Sequence, residues 1–446
     1  MSMSSKAEAL YRAVWRWHFY AGLFCVPFVI VLALTGSLYL FKPQVEAWQE
    51  RGYDNLAVSG PLASPAAQVA AALAEVPDGR LRSYEVRDSP ADAARVIVSG
   101  PEGDLRVYVH PQSARVLGTV REDERLMEVV KTIHGELLMG NTGSIFVELA
   151  ACWAIVMIVT GLYLWWPRGA AGLAGVLYPR LSQGGRQFWR DLHAVIGIWV
   201  SALALFLLLS GLPWTTVWGG AFKDIKQATG VTRGPQGWKA GMAAHVHHDH
   251  EQHVHAEHAA HHMDAPASLD AMVAAVRPMH LPAPVLIQPP SDRWPKSADW
   301  VARSDTQNRP QRLMLTLDPA TGAVLKREGF EDSHLVDRIV GYGVAAHEGQ
   351  LFGPLNQALG VLTALALIGL SVTGYVMWWQ RRPHGMLGAP PAVPDGRLSV
   401  GLGLLILALA IFLPVLGVSL VVLALVEWLV LRRITPVSTW LGLKTS

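Results

Sequence analysis

Residues 19–41, FYAGLFCVPFVIVLALTGSLYLF, run for 23 positions without a charged side chain. The hydrocarbon layer of a bilayer is about 30 Å thick, and an α-helix of roughly 20 apolar residues crosses it. Such a run constrains the fold tightly, because lipid offers no partner to a backbone N–H or C=O. Residues 145–166, 191–213 and 355–379 are stretches of the same kind, and a fifth runs from Leu398 to Leu431. Charged residues make up only 16% of the chain, against roughly 25% in soluble domains. Both features point to a multi-pass membrane protein. The first run is too long for a signal-peptide core and no small-residue cleavage site follows it, so it is expected to stay as a membrane helix. Cys25 and Cys152 lie inside apolar runs and read as buried thiols rather than a disulfide framework. A net charge of +2 argues against a nucleic-acid partner.

Lys and Arg near the helix ends set the expected orientation. Lys6, Arg12 and Arg16 precede the first run; Arg168, Arg180, Arg186 and Arg190 fill the loop between the second and third; Arg381, Arg382 and Arg397 follow the fourth. All belong on the cytoplasmic side, with Trp165-Trp166 and Trp378-Trp379 at the interface. The long polar segments then face the periplasm of a bacterial inner membrane. The expected organisation is a first helix within 1–41, an outer domain 42–143, helix 144–167, a cytoplasmic loop 168–190, helix 191–213, an outer domain 214–353 and helix 354–380. As one helix, residues 398–431 would be about 51 Å long. Pro414 and Gly417 at their centre favour a membrane hairpin, with one kinked helix as the alternative.

The chain also repeats itself. WRWHFYAGLF in the first apolar segment matches FWRDLHAVIGIW in the third, and His18 to Thr35 and His193 to Ser210 are both 17 residues. IHGELLMGNTGS leading to VTGLYLWW matches AHEGQLFGPLNQ leading to VTGYVMWW, and His134 to Thr160 and His347 to Thr373 are both 26 residues. The outer segments match too. SPAAQVAAALAEVP (64–77) and SLDAMVAAVRP (268–278) each read as a helix with a Ser N-cap. LRVYVHPQSARVLGTV (105–120) and RLMLTLDPATGAVLKREG (312–329) each read as strand, turn, strand. The fold class is therefore a membrane α-helical bundle of four core helices in two repeats, a C-terminal hairpin, and two small α+β outer domains. The second half is 38 residues longer between its two histidines, largely through an insertion at 231–267.

Ionisable groups at membrane depth are rare and usually functional. His18 and His193 sit at the cytoplasmic starts of their helices, whereas His134 and His347 precede helices that start outside. Topology thus allows two pairs, His18 with His193 and His134 with His347. Zinc would want further Cys, His or carboxylate ligands. Glu136 and Glu348 could supply them at the outer pair, and no carboxylate has an equivalent place at the inner one. Haem iron accepts axial imidazoles, and its flat apolar ring fills a gap between helices. Gly22 and Gly197, one turn beyond His18 and His193, would let such a ring approach the backbone. The Thr-Gly and Ser-Gly pairs that end the repeats read as ordinary helix packing.

In order and in duplicate, the HxxxG…[TS]G helix, the outer α+β unit with DPATGAVL, and the VTG…WW helix resemble the PepSY-associated transmembrane family. The resemblance covers roughly residues 10–385. It implies a di-haem protein with two b-type haems held by His18, His134, His193 and His347, of the iron-regulated inner-membrane type that reduces ferric siderophores outside the cytoplasm. The chain departs from the family pattern at its His-rich insertion and at His110, which stands where the other half has Asp318.

The function expected is haem-dependent reduction of a ferric chelate or siderophore. No Gly-rich nucleotide motif follows a strand, so the electrons would come from another protein, a quinol or a soluble reductant. Trp214, Trp218, Trp238, Trp294 and Trp300 could frame the substrate. Two rival readings stand beside this one: a non-catalytic PepSY binding or regulatory module, and a copper or zinc handling protein. The last draws on HVHHDHEQHVHAEHAAHH, residues 245–262. Its His245, His247, His248, His250, His253, His255, His258, His261 and His262 are candidate metal ligands, in a segment that reads as a flexible loop.

Overall fold

The structure, a computed structural model, describes residues 5–168, 172–231, 265–291, 299–390 and 400–443. Among these, five helices are long and apolar enough to cross a membrane: Ala7–Tyr39, Gly140–Trp165, Gly185–Trp214, Pro354–Arg381 and Pro414–Leu431. The protein is a multi-pass membrane protein.

In chain order, α1 (Ser5–Tyr39) is the first span, and α2 (Lys42–Glu50) and α3 (Pro65–Ala74) lead into four strands. Ser64 caps α3, its hydroxyl accepting from the Ala67 N–H at 3.2 Å. The strands are β1 (Arg80–Val86), β2 (Ala94–Gly100), β3 (Gly103–Val109) and β4 (Val116–Arg121). Next come α4 (Leu126–Glu136), the span α5 (Gly140–Trp165), the span helix α6 (Gly185–Gly211), α7 (Thr216–Ala228) and α8 (Ala265–Val276). Ser268 lies inside α8 rather than at its N-cap. The second set of strands is β5 (Val285–Gln288), β6 (Trp300–Ser304), β7 (Leu313–Leu317) and β8 (Val324–Gly329). Then follow α9 (Leu335–His347), the span α10 (Pro354–Arg381), α11 (Val400–Phe412), α12 (Pro414–Val426) and α13 (Thr435–Trp440).

The outer segments do not form two separate sheets. β1 pairs antiparallel with β5, Tyr84 opposite Ile287 and Val86 opposite Val285, giving one eight-stranded antiparallel sheet in the order β4-β3-β2-β1-β5-β6-β7-β8. Alternation along the strands divides its faces. One face carries Val96, Val98, Val107, Ile287, Trp300 and Leu315, and packs under α3 and α8 in a single core. The other carries Glu85, Arg95, Arg106 and Arg303 and looks onto the membrane helices across a cavity. Two four-stranded units would each leave an inner edge strand unpaired. Joining them removes both edges and pools the core of two domains too small to bury much alone.

α4 and α9 each stop just short of a span. Leu137 and Leu138 (φ 50° and 60°) turn the chain from α4 toward α5, and Gly349 (φ 74°) turns it after α9. These turns set His134 and His347 at the sheet side of the bundle. The hairpin segment folds back at Leu413: a Cβ on Gly417 would meet the Ala410 carbonyl oxygen at 3.0 Å, which a continuous helix could not bring about. Its tip packs on Cys152, Ile155 and Leu212. The end of the chain lies beside the start of α1, where Arg16 donates to the Gly442 carbonyl and Tyr20 to that of Leu441.

Candidate cofactor site between the membrane helices

The four histidines form two facing pairs. The ring centres of His18 and His193 are 6.5 Å apart at 88°, and those of His134 and His347 are 6.4 Å apart at 80°. His18 lies 17 residues before Thr35 on α1, and Thr35 touches His134 at the sheet side. At 1.5 Å per residue the pairs are therefore separated by about 25 Å along the helices, close to the thickness of the hydrocarbon layer.

Each imidazole is held in the same way. His18 Nδ1 lies 2.9 Å from the Thr160 hydroxyl and His193 Nδ1 2.9 Å from that of Thr373. His134 Nδ1 is 3.1 Å from Thr35 and His347 Nδ1 2.9 Å from Ser210. Every one of these hydroxyls gives its own hydrogen to a carbonyl one turn back: Thr160 to Val156 at 2.7 Å, Thr373 to Gly369 at 2.8 Å, Thr35 to Val31 at 2.8 Å and Ser210 to Phe206 at 2.7 Å. The hydroxyl oxygen can then only accept from the ring. Nδ1 must carry the proton, and Nε2 keeps its lone pair for a ligand. Desolvation first, and the facing His134 second, push the His347 imidazole down to about 4. Burial likewise lowers His134. Burial thus favours the neutral form of both rings of the sheet-side pair.

The Thr-Gly and Ser-Gly pairs therefore do more than pack helices. Their glycines leave room for the rings as well. A Cβ on Gly36 would meet His134 Cε1 at 3.0 Å, and one on Gly161 would meet His18 Cε1 at 3.2 Å. Gly211 stands in this relation to His347 and Gly374 to His193, both at 3.5 Å. Gly22 and Gly197 do not touch an imidazole; they line the cavity facing Met157 and Leu370. Only the matched hydroxyl spacing in the two halves could have given the ring partners away.

One cavity of about 2980 Å³ is lined by all four histidines and by the polar face of the sheet. A pocket for one drug-sized ligand is roughly 300–1,000 Å³, so it has room for more than one. Its membrane walls are largely apolar, with Gly22, Ala150, Ala154, Gly197, Ala204 and Ala364 set among larger side chains such as Phe28, Met157, Leu207 and Leu370. The ring centres stand 6.5 and 6.4 Å apart, so both imidazoles of a pair are near enough to share one ligand. Among the described residues, no three His, Cys, Asp or Glu side chains converge as a metal site. Glu348 instead faces Arg309 at 3.6 Å.

Other candidates fall elsewhere. Trp300 is fully buried under α3 and α8, so it cannot frame a substrate; Trp238 and Trp294 lie outside the described residues. Trp214 stands edge-on to His347 at 6.2 Å, and Trp218 bonds the hairpin tip at the Phe412 carbonyl. His110 accepts from the N–H groups of Gln112 and Ser113 at 3.2 Å, the same turn role as Asp318 with Ala320 and Thr321. The nine histidines of 245–262 lie outside the described residues. Buried acids also escaped the sequence reading, Glu148 and Asp191 among them. Glu148 caps α7, accepting from Val217 and Trp218 at 2.9 and 3.1 Å. Asp191, two residues before His193, binds Arg180 at 2.6 and 2.8 Å and anchors the start of α6.

Spanning helices, an eight-stranded sheet and two facing histidine pairs beside one cavity define a multi-pass membrane protein with a sheet domain. The chain belongs to the PepSY-associated TM region family, whose model matches residues 15–381. No curated protein is significantly similar to it.

Proposed function

We propose that the chain is a di-haem electron-transfer protein of a bacterial inner membrane that reduces a ferric chelate, such as a siderophore complex, at the sheet side. The observation that carries this reading is the pair of opposed imidazole sets, 6.4 and 6.5 Å between ring centres, each with its Nδ1 against a hydroxyl. His18 with His193, and His134 with His347, would each hold one haem b. Bound there, haem supplies a one-electron Fe(III)/Fe(II) couple at each end of the bundle.

The chain's own residues do the rest. Thr160, Thr373, Thr35 and Ser210 fix the tautomer and aim each ring, as hydrogen-bond partners of metal-bound histidines do. Gly36, Gly161, Gly211 and Gly374 let the ring edges come close to the helices. Gly22 and Gly197 open the wall beside the His18–His193 pair. The apolar lining excludes water along the membrane. The cavity under the sheet would seat the chelate, whose iron takes one electron and leaves its chelator as the more weakly held Fe(II). The donor, a quinol or another reductant, would act at the His18–His193 end, on the cytoplasmic side by the Lys and Arg bias. Vesicles holding the protein and an internal reductant should produce Fe(II) from an external ferric trihydroxamate. Haem-loaded vesicles that produce none would defeat the reductase reading. The run at 245–262 would bind zinc or copper weakly at the outer face, apart from this path.

A further inference from the structure

The His18–His193 end of the cavity carries two arginines that the repeat matches to each other. In VTGLYLWWPR and VTGYVMWWQR, Arg168 follows Gly161 by seven residues and Arg381 follows Gly374 by seven. These are the glycines where a Cβ would meet the His18 and His193 rings, at 3.2 and 3.5 Å. Seven residues make nearly two helical turns, so Arg381, the last residue of α10, lies about 10 Å beyond Gly374 on the same helix face. Pro167 stops α5 sooner, yet Arg168 turns back and donates to the Tyr163 carbonyl at 3.1 Å. Both side chains line the cavity. One stripe of α1 holds both guanidinium groups: Arg168 lies over Tyr11 at 5.3 Å, and Arg381 over Trp15 and Phe19 at 5.0 and 5.2 Å. His18 stands on that stripe, seven residues after Tyr11 and three after Trp15. Rings and carbonyls position these cations without neutralising them; Arg381 donates to the Gly388 carbonyl at 3.1 Å. The described carboxylates at this end are committed elsewhere, Glu8 to Arg12, Asp191 to Arg180 and Arg190, and Glu427 to Arg432. Among the described residues, neither Arg168 nor Arg381 forms an ion pair.

We propose that Arg168 and Arg381 receive the two propionates of the haem held by His18 and His193, an assignment that rests on the di-haem reading. The acidic edge of that haem would then point toward the membrane face that carries the Lys and Arg excess. A propionate is a carboxylate on a short arm, and a guanidinium fork suits it. The two repeat-matched cations supply one fork for each arm, along the helix face that also bears an axial imidazole.

Haem titrations on the full-length protein in detergent, carrying His134→Ala so that only the His18–His193 pair is read, test this. The probes are protohaem and protohaem dimethyl ester, whose esterified arms carry no charge. The expected result is a preference for protohaem. Arg168→Gln/Arg381→Gln weakens protohaem roughly tenfold or more and leaves the ester unchanged, so the preference disappears. Lys at both positions restores part of it, and Arg382→Gln, at the exposed arginine over Trp379, changes nothing. The single variants, which keep one cation each, lose part of the preference and serve should the double variant melt early. Equal binding of acid and ester overturns the proposal, and so does a double variant that keeps the preference. Equal weakening of both haems in a double variant with unchanged melting also overturns it, since the arginines would then serve a lipid phosphate or the helix packing. Wild-type protein that takes up neither haem defeats the di-haem reading, and this proposal with it.

Discussion

Replacing Thr160 by Val removes one oxygen and keeps the branched shape of the side chain. That oxygen stands 2.9 Å from His18 Nδ1 and gives its hydrogen to the Val156 carbonyl at 2.7 Å. The carbonyl retains its helical partner, so α5 itself loses little. His18 is left with a choice of two costs. Either its Nδ1–H stays buried without an acceptor, at about 1–3 kcal/mol, or the proton moves to Nε2 and blocks the nitrogen that must bind metal. Loss of such a partner lowers metal affinity about 10–100-fold, equivalent to roughly 1.4–2.7 kcal/mol. Competition with apomyoglobin for haem, followed in the visible spectrum, reads this directly. The variant should yield one of its two haems about 10–100 times more readily than wild type, while Thr160→Ser stays near wild type. Equal retention in wild type and Thr160→Val would refute the reasoning. So would equal losses in the Val and Ser variants, because shape rather than the hydroxyl would then be decisive.

Gly36→Ala and Gly161→Ala should each weaken haem retention, since their Cβ atoms would press on imidazoles at 3.0 and 3.2 Å, whereas Gly211→Ala and Gly374→Ala at 3.5 Å should be mild; the same competition assay ranks them. Glu50 serves Arg95 and Arg125 and lies 3.8 Å from Arg106, so Glu50→Gln should destabilise the sheet domain by about 3–5 kcal/mol, measured by thermal melting. Burial raises the Glu50 carboxyl, but Arg106 and Arg95 outweigh it and hold it below its ordinary 4.5. The unfolded chain then binds protons first, so this stability is present above about pH 4.5 and is lost as the pH falls through the lower folded value; melts from pH 6 to 3 should show the decline, and Glu50→Gln should flatten it. Deleting 245–262 should leave haem content and electron transfer intact while lowering zinc uptake, checked by spectrum and by metal analysis.

Hydropathy and spacing made much of this legible. The apolar runs at 191–213 and 355–379 lie within described span helices, and those at 19–41 and 145–166 overrun theirs by one or two residues, because lipid leaves the backbone no alternative. His18, His134, His193 and His347 emerged from comparing the halves, and the structure brings them together as the topology required. The hydroxyls of Thr35, Thr160, Ser210 and Thr373 recurred in the same comparison but read as packing, because a Thr-Gly pair in a membrane helix usually serves that purpose. Only coordinates show which ring each one reaches. The junction of β1 with β5 was hidden for a different reason. Strand edges carry the pairing information in backbone atoms, which are the same in every sequence, so two α+β units could equally have stood apart. Glu148 and Asp191 were missed because their partners, the α7 N-terminus and Arg180, become neighbours only on folding.

The central claim is that each histidine pair holds one haem. A reduced-minus-oxidised spectrum of the purified protein, with haem counted per chain as the pyridine haemochrome, tests it most directly. Two low-spin b-type haems per wild-type chain are predicted, one in His18→Ala, one in His134→Ala and none in the double variant. A properly folded wild-type protein without haem, or single variants that keep both haems, would contradict it.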